Sequence, residues 1–84
     1  MKEGIKWPLT TEKSVRLMEK DNVLTFIVDR KVNKNEIKRE TESMFKVKVK
    51  AVNALILPNG KKKAYVRLDE STPARDVATQ LGII

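Results

Sequence analysis

The stretch V-K-V-K-A-V-N-A-L-I-L-P-N-G-K-K-K-A-Y-V-R-L, residues 47–68, decides the fold because it places two strand patterns around a turn signal. The turn signal is Pro58-Asn59-Gly60, since Asn-Gly readily supplies the positive φ values of a tight turn. In the returning strand, predicted over Lys63–Leu68, inward residues alternate with outward ones; the inward set is Ala64, Val66 and Leu68, and the outward set Lys63, Tyr65 and Arg67. This alternation predicts an antiparallel β-hairpin.

The first strand of the hairpin, predicted over Val47–Leu57, has a less regular pattern. One face carries Val47, Val49, Ala51, Leu55 and Leu57; the other carries Lys46, Lys48 and Lys50, followed by Val52, Ala54 and Ile56. A β-bulge explains the change, and so does a strand whose second half is covered on both faces. Asn53 interrupts the apolar pattern and therefore bonds either the backbone or a ligand; the residues alone favour the structural role.

The remaining segments predict one central strand and three helices. Val23–Val28 is a nearly continuous apolar run, which is typical of a strand covered on both faces. Asn33 stands three residues before Glu36, as in a capping box, and starts an amphipathic helix; its apolar face is Ile37, Thr41, Met44 and Phe45.

The first and third helices are shorter. Thr10 and Thr11 offer a hydroxyl cap for a helix that ends near Lys20. Thr72-Pro73 offers a cap and a proline at the first helical position of the last helix, whose apolar stripe is Val77, Ala78 and Leu81. Gly82 suits the end of that helix. The chain, residues 1–84, is predicted to be a single domain.

Composition excludes most catalytic chemistry. The 84 residues contain no Cys and no His, so there is no thiolate nucleophile, no imidazole base and no thiolate or imidazole metal site. The carboxylates are scattered without a partner base, and only a weakly selective all-carboxylate Mg²⁺ site remains. We therefore expect no enzyme, no cofactor and no dedicated metal site. The start MKEGIKWPL has no apolar stretch for a signal peptide or a membrane span, which predicts a cytoplasmic protein without membrane insertion.

The net charge is +7, and its basic excess is local: residues 46–68 contain seven cations and no acid. Such clustering indicates a polyanion surface. Six of these cations could form one basic ridge on the hairpin, namely Lys46, Lys48, Lys50, Lys61, Lys62 and Lys63. The competing interpretation is that lysines protect a sheet edge and keep the protein soluble; phosphate contact is favoured because no acid interrupts the stretch.

Two further groups are candidates. Arg30, Lys31, Asn33 and Lys34 surround the predicted start of the middle helix, where they either bind an anion or are ordinary loop charge with Asn33 as cap. Trp7, near Lys6 and Lys13, either stacks on an unpaired base or anchors the N-terminal segment in the core, and the core role is slightly favoured.

Five segments then reveal a family resemblance: P-L-T-T-E-K-S (8–14), F-I-V-D-R-K-V-N-K-N-E-I-K (26–38), V-K-V-K-A-V-N-A-L-I (47–56), G-K-K-K-A-Y-V-R-L (60–68) and D-V-A-x-x-L-G-I-I (76–84). In this order they closely resemble the large-subunit ribosomal protein L-twenty-three family. The K-K-A-Y-V-R-L segment and the G-I-I ending look like the archaeal and eukaryotic branch. The short turn, where bacterial members have a long loop, and the lack of a long basic N-terminal extension look archaeal.

The resemblance implies an α+β fold, an α/β sandwich with a four-stranded antiparallel sheet and about three helices, whose first strand lies around Lys6–Leu9. It implies a structural, ribosomal role: binding of large-subunit rRNA near the polypeptide exit tunnel, beside neighbouring ribosomal proteins. The RNA-contact candidates are Lys6, Thr11, Lys13, Arg30, Lys31, Asn33, Lys34, Lys48, Lys50, Asn53, Lys61, Lys62 and Lys63. Glu12 matches an acid that bacterial relatives present to a chaperone; here it predicts docking of signal recognition particle, nascent-chain factors or the translocon.

Two other function classes compete with this hypothesis. A protein-only adaptor would use its basic surface to bind an acidic partner, and RNA would have no effect on that binding. A small hydrolase or nuclease is disfavoured because no base, nucleophile or paired-acid arrangement exists. We expect the isolated chain to be a monomer.

Overall fold

The computed structural model describes residues 5–9 and 11–82, with the backbone alone for residues 5–7. Its elements are β1 (Ile5–Pro8), α1 (Glu12–Asp21), β2 (Val23–Val28), α2 (Lys34–Phe45), β3 (Val49–Ile56), β4 (Lys62–Leu68) and α3 (Ala74–Leu81). The strands form one sheet in the order β1-β2-β4-β3, and every neighbouring pair is antiparallel. The predicted α+β class, the three helices and the antiparallel sheet are confirmed.

The regular part of the sheet consists of three strands. β4 lies between β2 and β3 and pairs with both along its length. β1 pairs only with the last residues of β2, and its register shifts between Ile5 and Trp7. The prediction of four strands is therefore met in part, because β1 adds a short, interrupted edge to a three-stranded ladder.

β2 and β4 supply most of the sheet's contribution to the core. All six residues of β2 are buried, as predicted for a central strand covered on both faces. Phe26, on the core side of β2, stacks its ring on Phe45 of α2 with ring centroids 6.0 Å apart. The core around them is completed by Ile37 on α2, Leu68 on β4 and Val77 on α3.

A β-bulge at Lys50 explains the irregular pattern of β3. Val49 pairs with Leu68 and Ala51 pairs with Arg67, so two steps along β3 correspond to one step along β4. The extra residue exchanges the two faces of the strand. Val52 and Ala54 consequently turn inward, and Ala51 is exposed, against the predicted parity. Of the two explanations, the bulge is correct.

The hairpin turn consists of the three predicted residues, Pro58, Asn59 and Gly60. The Leu57 amide donates to the Lys61 carbonyl at 2.7 Å, and the Gly60 amide donates to the Leu57 carbonyl at 2.9 Å. Pro58 and Asn59 occupy the two central positions of an ordinary β-turn, where φ is negative. Gly60 is therefore the one residue of the turn with a positive φ, +86°.

Capping boxes start the first two helices. Thr11 caps α1, since its hydroxyl accepts from the Ser14 amide at 3.1 Å while its own amide donates to Ser14 Oγ at 2.8 Å. Thr10, the alternative cap, lies outside the described residues. Asn33 and Glu36 form the predicted box on α2. The prediction that Met44 belongs to the buried face of α2 is wrong, because Met44 is 41% exposed beside the helix end.

Asn22, between α1 and β2, caps α3 from a distance. Its Nδ2 donates to the carbonyls of Leu68, Asp69 and Thr72, and its Oδ1 accepts from the Ala74 amide at 2.6 Å. The N-cap residue of α3 is Pro73, which has no side-chain cap of its own. The prediction that Thr72-Pro73 caps the helix is therefore wrong. Gly82 ends α3 at φ +76°, as predicted.

One carboxylate of α2 is buried without a hydrogen-bonding partner among the described residues. Glu40 is 8% exposed, and neither of its carboxylate oxygens accepts a hydrogen bond from the residues that the structure describes. It lies beside a shallow groove of about 320 Å³ that Glu36, Arg39 and Ser43 also line. None of the described helices is both long and apolar enough to cross a membrane.

Candidate nucleic-acid interface

The hairpin presents one exposed side, which we call the open sheet face. The register pairs Asn53 with Tyr65, Ala51 with Arg67 and Leu55 with Lys63. Because directly paired residues of antiparallel strands point to the same side, the open sheet face consists of Ala51, Asn53, Leu55, Lys63, Tyr65 and Arg67. Ala64 and Val66, between the β4 members, point into the core and are fully buried.

Helix α1 borders the open sheet face and forms a groove with it. The groove has a volume of about 410 Å³ and is lined by Lys13, Leu17, Asp21, Val23, Ala51, Asn53, Tyr65 and Arg67. Lys13, Leu17 and Asp21 recur at a spacing of four residues, so they follow one side of the helix. The groove therefore joins a helix side to the middle of the sheet.

Tyr65 lies at the centre of the open sheet face and is half-buried. The Lys63 ammonium stands 5.5 Å from the centroid of its ring, a distance at which a cation and an aromatic face attract each other. Asn53, directly across from Tyr65, is exposed, and no hydrogen bond of its side chain is found within the described part of the chain. The expectation of a structurally satisfied Asn53 is therefore wrong.

The six lysines do not form one ridge, because the hairpin separates them. Val49 and Lys50 lie where β4 ends, whereas Lys61, Lys62 and Lys63 lie where β4 begins. Six residues of extended strand separate these ends by about 20 Å. The single-ridge prediction is wrong, since antiparallel pairing puts the start of one strand beside the end of the other.

The lysines around the start of β3 have acidic neighbours. Lys50 Nζ lies 3.9 Å from a carboxylate oxygen of Glu70. The Asp69 carboxylate accepts from the Ser71 amide, and this hydrogen bond, with a further one from the Ser71 side chain and the charges of Lys48 and Lys50, holds the Asp69 pKa below its ordinary value. The acids that precede α3 therefore offset part of this positive charge.

The lysines after the turn point in different directions. Lys63 belongs to the open sheet face. Lys62 donates from Nζ to the Val32 carbonyl at 2.6 Å, which ties the hairpin to the loop before α2. This contact gathers five cations at one end of the sheet, and we call them the loop-end cluster: Arg30, Lys31, Lys34, Lys61 and Lys62.

The other candidates lie apart from these surfaces or serve the fold. Asn33 is exposed, but its side-chain oxygen is used as the cap of α2. Thr11 likewise caps α1, at the rim of a small pocket beside Lys63 and Tyr65. Glu12 is exposed and pairs with Arg16 at 3.2 Å. The side chains of Lys6 and Trp7 lie outside the described residues, so their predicted roles stay predictions.

Tyr65 and Arg67, the aromatic ring and the arginine of the open sheet face, were absent from the predicted RNA contacts. The alternation of β4 had already assigned both residues to the outward side of the strand, together with Lys63. That alternation is the sequence feature from which their place in the site could have been predicted. The sequence pattern did not predict that α1 forms one side of the groove. Lys13 and Asn53 line the same groove only because the helix packs beside the sheet.

A small basic α+β domain with cations around a half-buried aromatic ring on a sheet has the features of polyanion-binding domains. The sequence model of the family described as Ribosomal protein L23 matches residues 3–75. The chain is also 48% identical, over 80 residues, to the Large ribosomal subunit protein uL23 of Trypanosoma brucei brucei. The chain belongs to the Ribosomal protein L23 family. The alignment covers 95% of this chain and 49% of the relative, so the chain spans about half the length of that protein.

Family membership confirms the predicted resemblance. The family is a structural, non-enzymatic component of the cytoplasmic ribosome, which confirms the predictions of a ribosomal protein and of no enzyme. The relative comes from a eukaryote, as expected for the archaeal and eukaryotic branch. The archaeal origin itself stays a prediction.

Proposed function

We propose that this chain is a constituent of the large ribosomal subunit that binds the large-subunit rRNA through the open sheet face and the loop-end cluster. The observation that carries the proposal is the convergence of Lys13, Lys63 and Arg67 around Tyr65. Asp21 is the only acid lining the groove in the part of the chain that the structure describes. Cations beside phosphates release condensed counterions, which supplies affinity, and shape fixes the position.

The proposed location is the region around the polypeptide exit, beside neighbouring ribosomal proteins. Glu12 supports a docking role there through its position on α1. With 3.6 residues per turn, Glu12 lies about 100° around the helix from Lys13, and its side chain is 86% exposed. RNA bound in the groove would therefore leave Glu12 accessible to signal recognition particle, nascent-chain factors or the translocon.

The direct test is binding of the purified chain to fragments of large-subunit rRNA at several salt concentrations. We expect the logarithm of affinity to fall linearly with the logarithm of salt concentration, because each phosphate contact releases counterions. Crosslinks to rRNA beside the exit would support the proposed location. Binding to an acidic protein partner, with no effect of added rRNA, would instead favour the adaptor hypothesis.

The docking role is tested separately on assembled ribosomes. Glu12→Gln should weaken the binding of at least one exit-site factor, whereas Asp76→Asn, at an exposed position of α3, should not. Equal affinities of all three ribosome preparations for signal recognition particle, nascent-chain factors and translocon would refute the role of Glu12. Such a result would leave rRNA binding by the groove side of α1 unaffected.

A further inference from the structure

We propose that the groove between α1 and the open sheet face holds one unpaired RNA nucleotide, with its base stacked on Tyr65. The inference rests on the proposed rRNA binding and assigns a ligand class to this part of the surface. The groove volume of about 410 Å³ lies within the range of small-ligand sites. One side of the groove is a helix and its floor is a sheet, so a flat ring can enter along the sheet.

Tyr65 is suited to stacking by its position. Its neighbours on both adjacent strands are known: Asn53 lies opposite on β3 and Thr25 opposite on β2. The ring therefore stands in the middle of the sheet, where its half-buried state restricts its motion and leaves area for contact. Aromatic rings that carry this kind of exposed area on a sheet are platforms for unstacked bases.

Asn53 is placed to contact the edge of a stacked base. Directly paired residues on antiparallel strands have Cβ atoms about 5 Å apart, so the Asn53 amide lies beside the Tyr65 ring. This amide has both donors and an acceptor, and within the described residues none of them is used. A base on Tyr65 would give the amide a hydrogen-bonding partner that the described residues do not provide.

The charges around the ring fit a nucleotide phosphate. Lys13 lies on the helix side of the groove. On the sheet, Lys63 precedes Tyr65 by two residues and Arg67 follows it by two residues. The Lys63 ammonium already contacts the ring at 5.5 Å, so it can remain beside the stack while it faces a phosphate. Asp21 at one end of the groove disfavours phosphate there and thus orients the nucleotide toward Lys63.

A second polar group at the same place has no hydrogen-bonding partner among the residues that the structure describes. Thr25 is 4% exposed, and its hydroxyl makes no hydrogen bond within the described part of the protein. It borders a small pocket of about 10 Å³ that shares Lys13, Leu17 and Tyr65 with the groove. That volume is close to the lower limit for one water molecule. A water there would link Thr25 to a ribose hydroxyl above it.

The geometry selects an unpaired nucleotide over a duplex. In a helix the faces of a base are covered by its neighbours, and only an unstacked base can offer a face to Tyr65. The probes for the test are therefore a short single-stranded oligoadenylate with one 2-aminopurine and a blunt RNA duplex of the same length. Quenching of the 2-aminopurine fluorescence reports stacking on the ring.

The variants separate stacking from charge. Tyr65→Leu keeps apolar bulk but removes the ring, and should weaken binding of the single strand about 5- to 150-fold with an unchanged salt slope. Tyr65→Phe should retain affinity and quenching. Arg67→Gln should reduce the salt slope by about 1, whereas Arg75→Gln, an exposed arginine on α3, should leave it unchanged.

The outcomes distinguish the two proposals. If rRNA binds but Tyr65→Leu has wild-type affinity, or the duplex binds the groove as tightly as the single strand, the nucleotide site is wrong and the proposed function stands. If the wild-type chain binds neither rRNA fragments nor oligoadenylate, both fail. Circular dichroism and thermal unfolding of Tyr65→Leu establish that the loss does not come from unfolding.

Discussion

Asn22 and Ala74 are 52 positions apart in the chain, and the Asn22 Oδ1 atom accepts a hydrogen bond from the Ala74 amide at 2.6 Å. The same side chain donates to three carbonyls at the end of β4 and in the following turn. Asn22 also has a left-handed backbone, with φ 58° and ψ 41°. One residue therefore ends α1, begins α3 and connects both to the sheet.

Replacing Asn22 should strongly destabilise the fold. Asn22→Ala removes these hydrogen bonds, each worth about 1 kcal/mol, and puts an ordinary side chain into a left-handed conformation at a cost of about 1 kcal/mol. We expect a decrease of about 3–4 kcal/mol in the free energy of unfolding, measured in urea. Asn22→Gly also removes the hydrogen bonds but avoids the cost of the left-handed backbone, so its free energy of unfolding should fall by about 1 kcal/mol less than that of Asn22→Ala. A loss below about 0.5 kcal/mol for Asn22→Ala would contradict the role of this residue.

Removing the buried carboxyl group of Glu40 should stabilise the isolated chain. Neither of its oxygens has a hydrogen-bonding partner among the described residues, and burying a polar group without a hydrogen bond is unfavourable. Glu40→Met, which keeps the length of the side chain, should raise the free energy of unfolding by about 1–2 kcal/mol. The control is Glu19→Gln on the exposed side of α1, where we expect no more than about 0.5 kcal/mol of change. Destabilisation by Glu40→Met would mean that the carboxylate has a favourable partner.

Asp69 should make stability depend on pH in the acid range. Hydrogen bonds from Ser71 and the charges of Lys48 and Lys50 lower its pKa in the folded state below the ordinary 3.8. A lowered folded pKa stabilises the protein above the unfolded pKa, and this contribution disappears as the pH falls through the folded pKa. NMR titration should show the low pKa directly, and Ser71→Ala should raise it. The stability advantage of the wild type over Asp69→Asn should vanish at low pH; an advantage that grows on acidification would have the wrong sign.

The lysines at the two ends of the hairpin should contribute unequally to RNA binding. Lys61→Gln with Lys63→Gln removes charge from the loop-end cluster and the open sheet face, and should flatten the salt slope of rRNA binding by about 1–2. Lys48→Gln with Lys50→Gln removes the same charge beside Asp69 and Glu70, where part of it is already offset, and should change the slope by less than about 1. Equal effects of the two pairs would show that the lysines act as one surface.

Local signals predicted most of the fold. The capping box of Asn33 and Glu36 and the apolar run Val23–Val28 involve residues close in sequence, so their pattern carries the information. The cap of α3 does not follow this rule, because Asn22 reaches it only after the sheet has formed. The bulge at Lys50 was one of two explanations of the same pattern, and only the pairing with β4 decides between them.

The sequence predicted which kinds of residue form the candidate site, but not which of them lie together. Cations and an aromatic residue were evident in residues 46–68, but antiparallel pairing determines which of them meet. Asn53 illustrates the difference: an interruption of an apolar strand indicates a hydrogen-bonding need without showing that the side chain is exposed. The bulge turns Asn53 outward, where it lies beside Tyr65 and lines the groove. The residues around Asn53 in the sequence do not predict this change of face.

The bulge has a further consequence for chains that have not yet entered a ribosome. β3 is an edge strand of the sheet, so one side of its backbone has no neighbouring strand among the described residues. Such a border readily recruits a strand from another molecule. The extra residue, Lys50, bends this border, so a second copy would meet a poorly matched ladder. We therefore expect newly synthesised molecules to resist self-association while they wait for assembly.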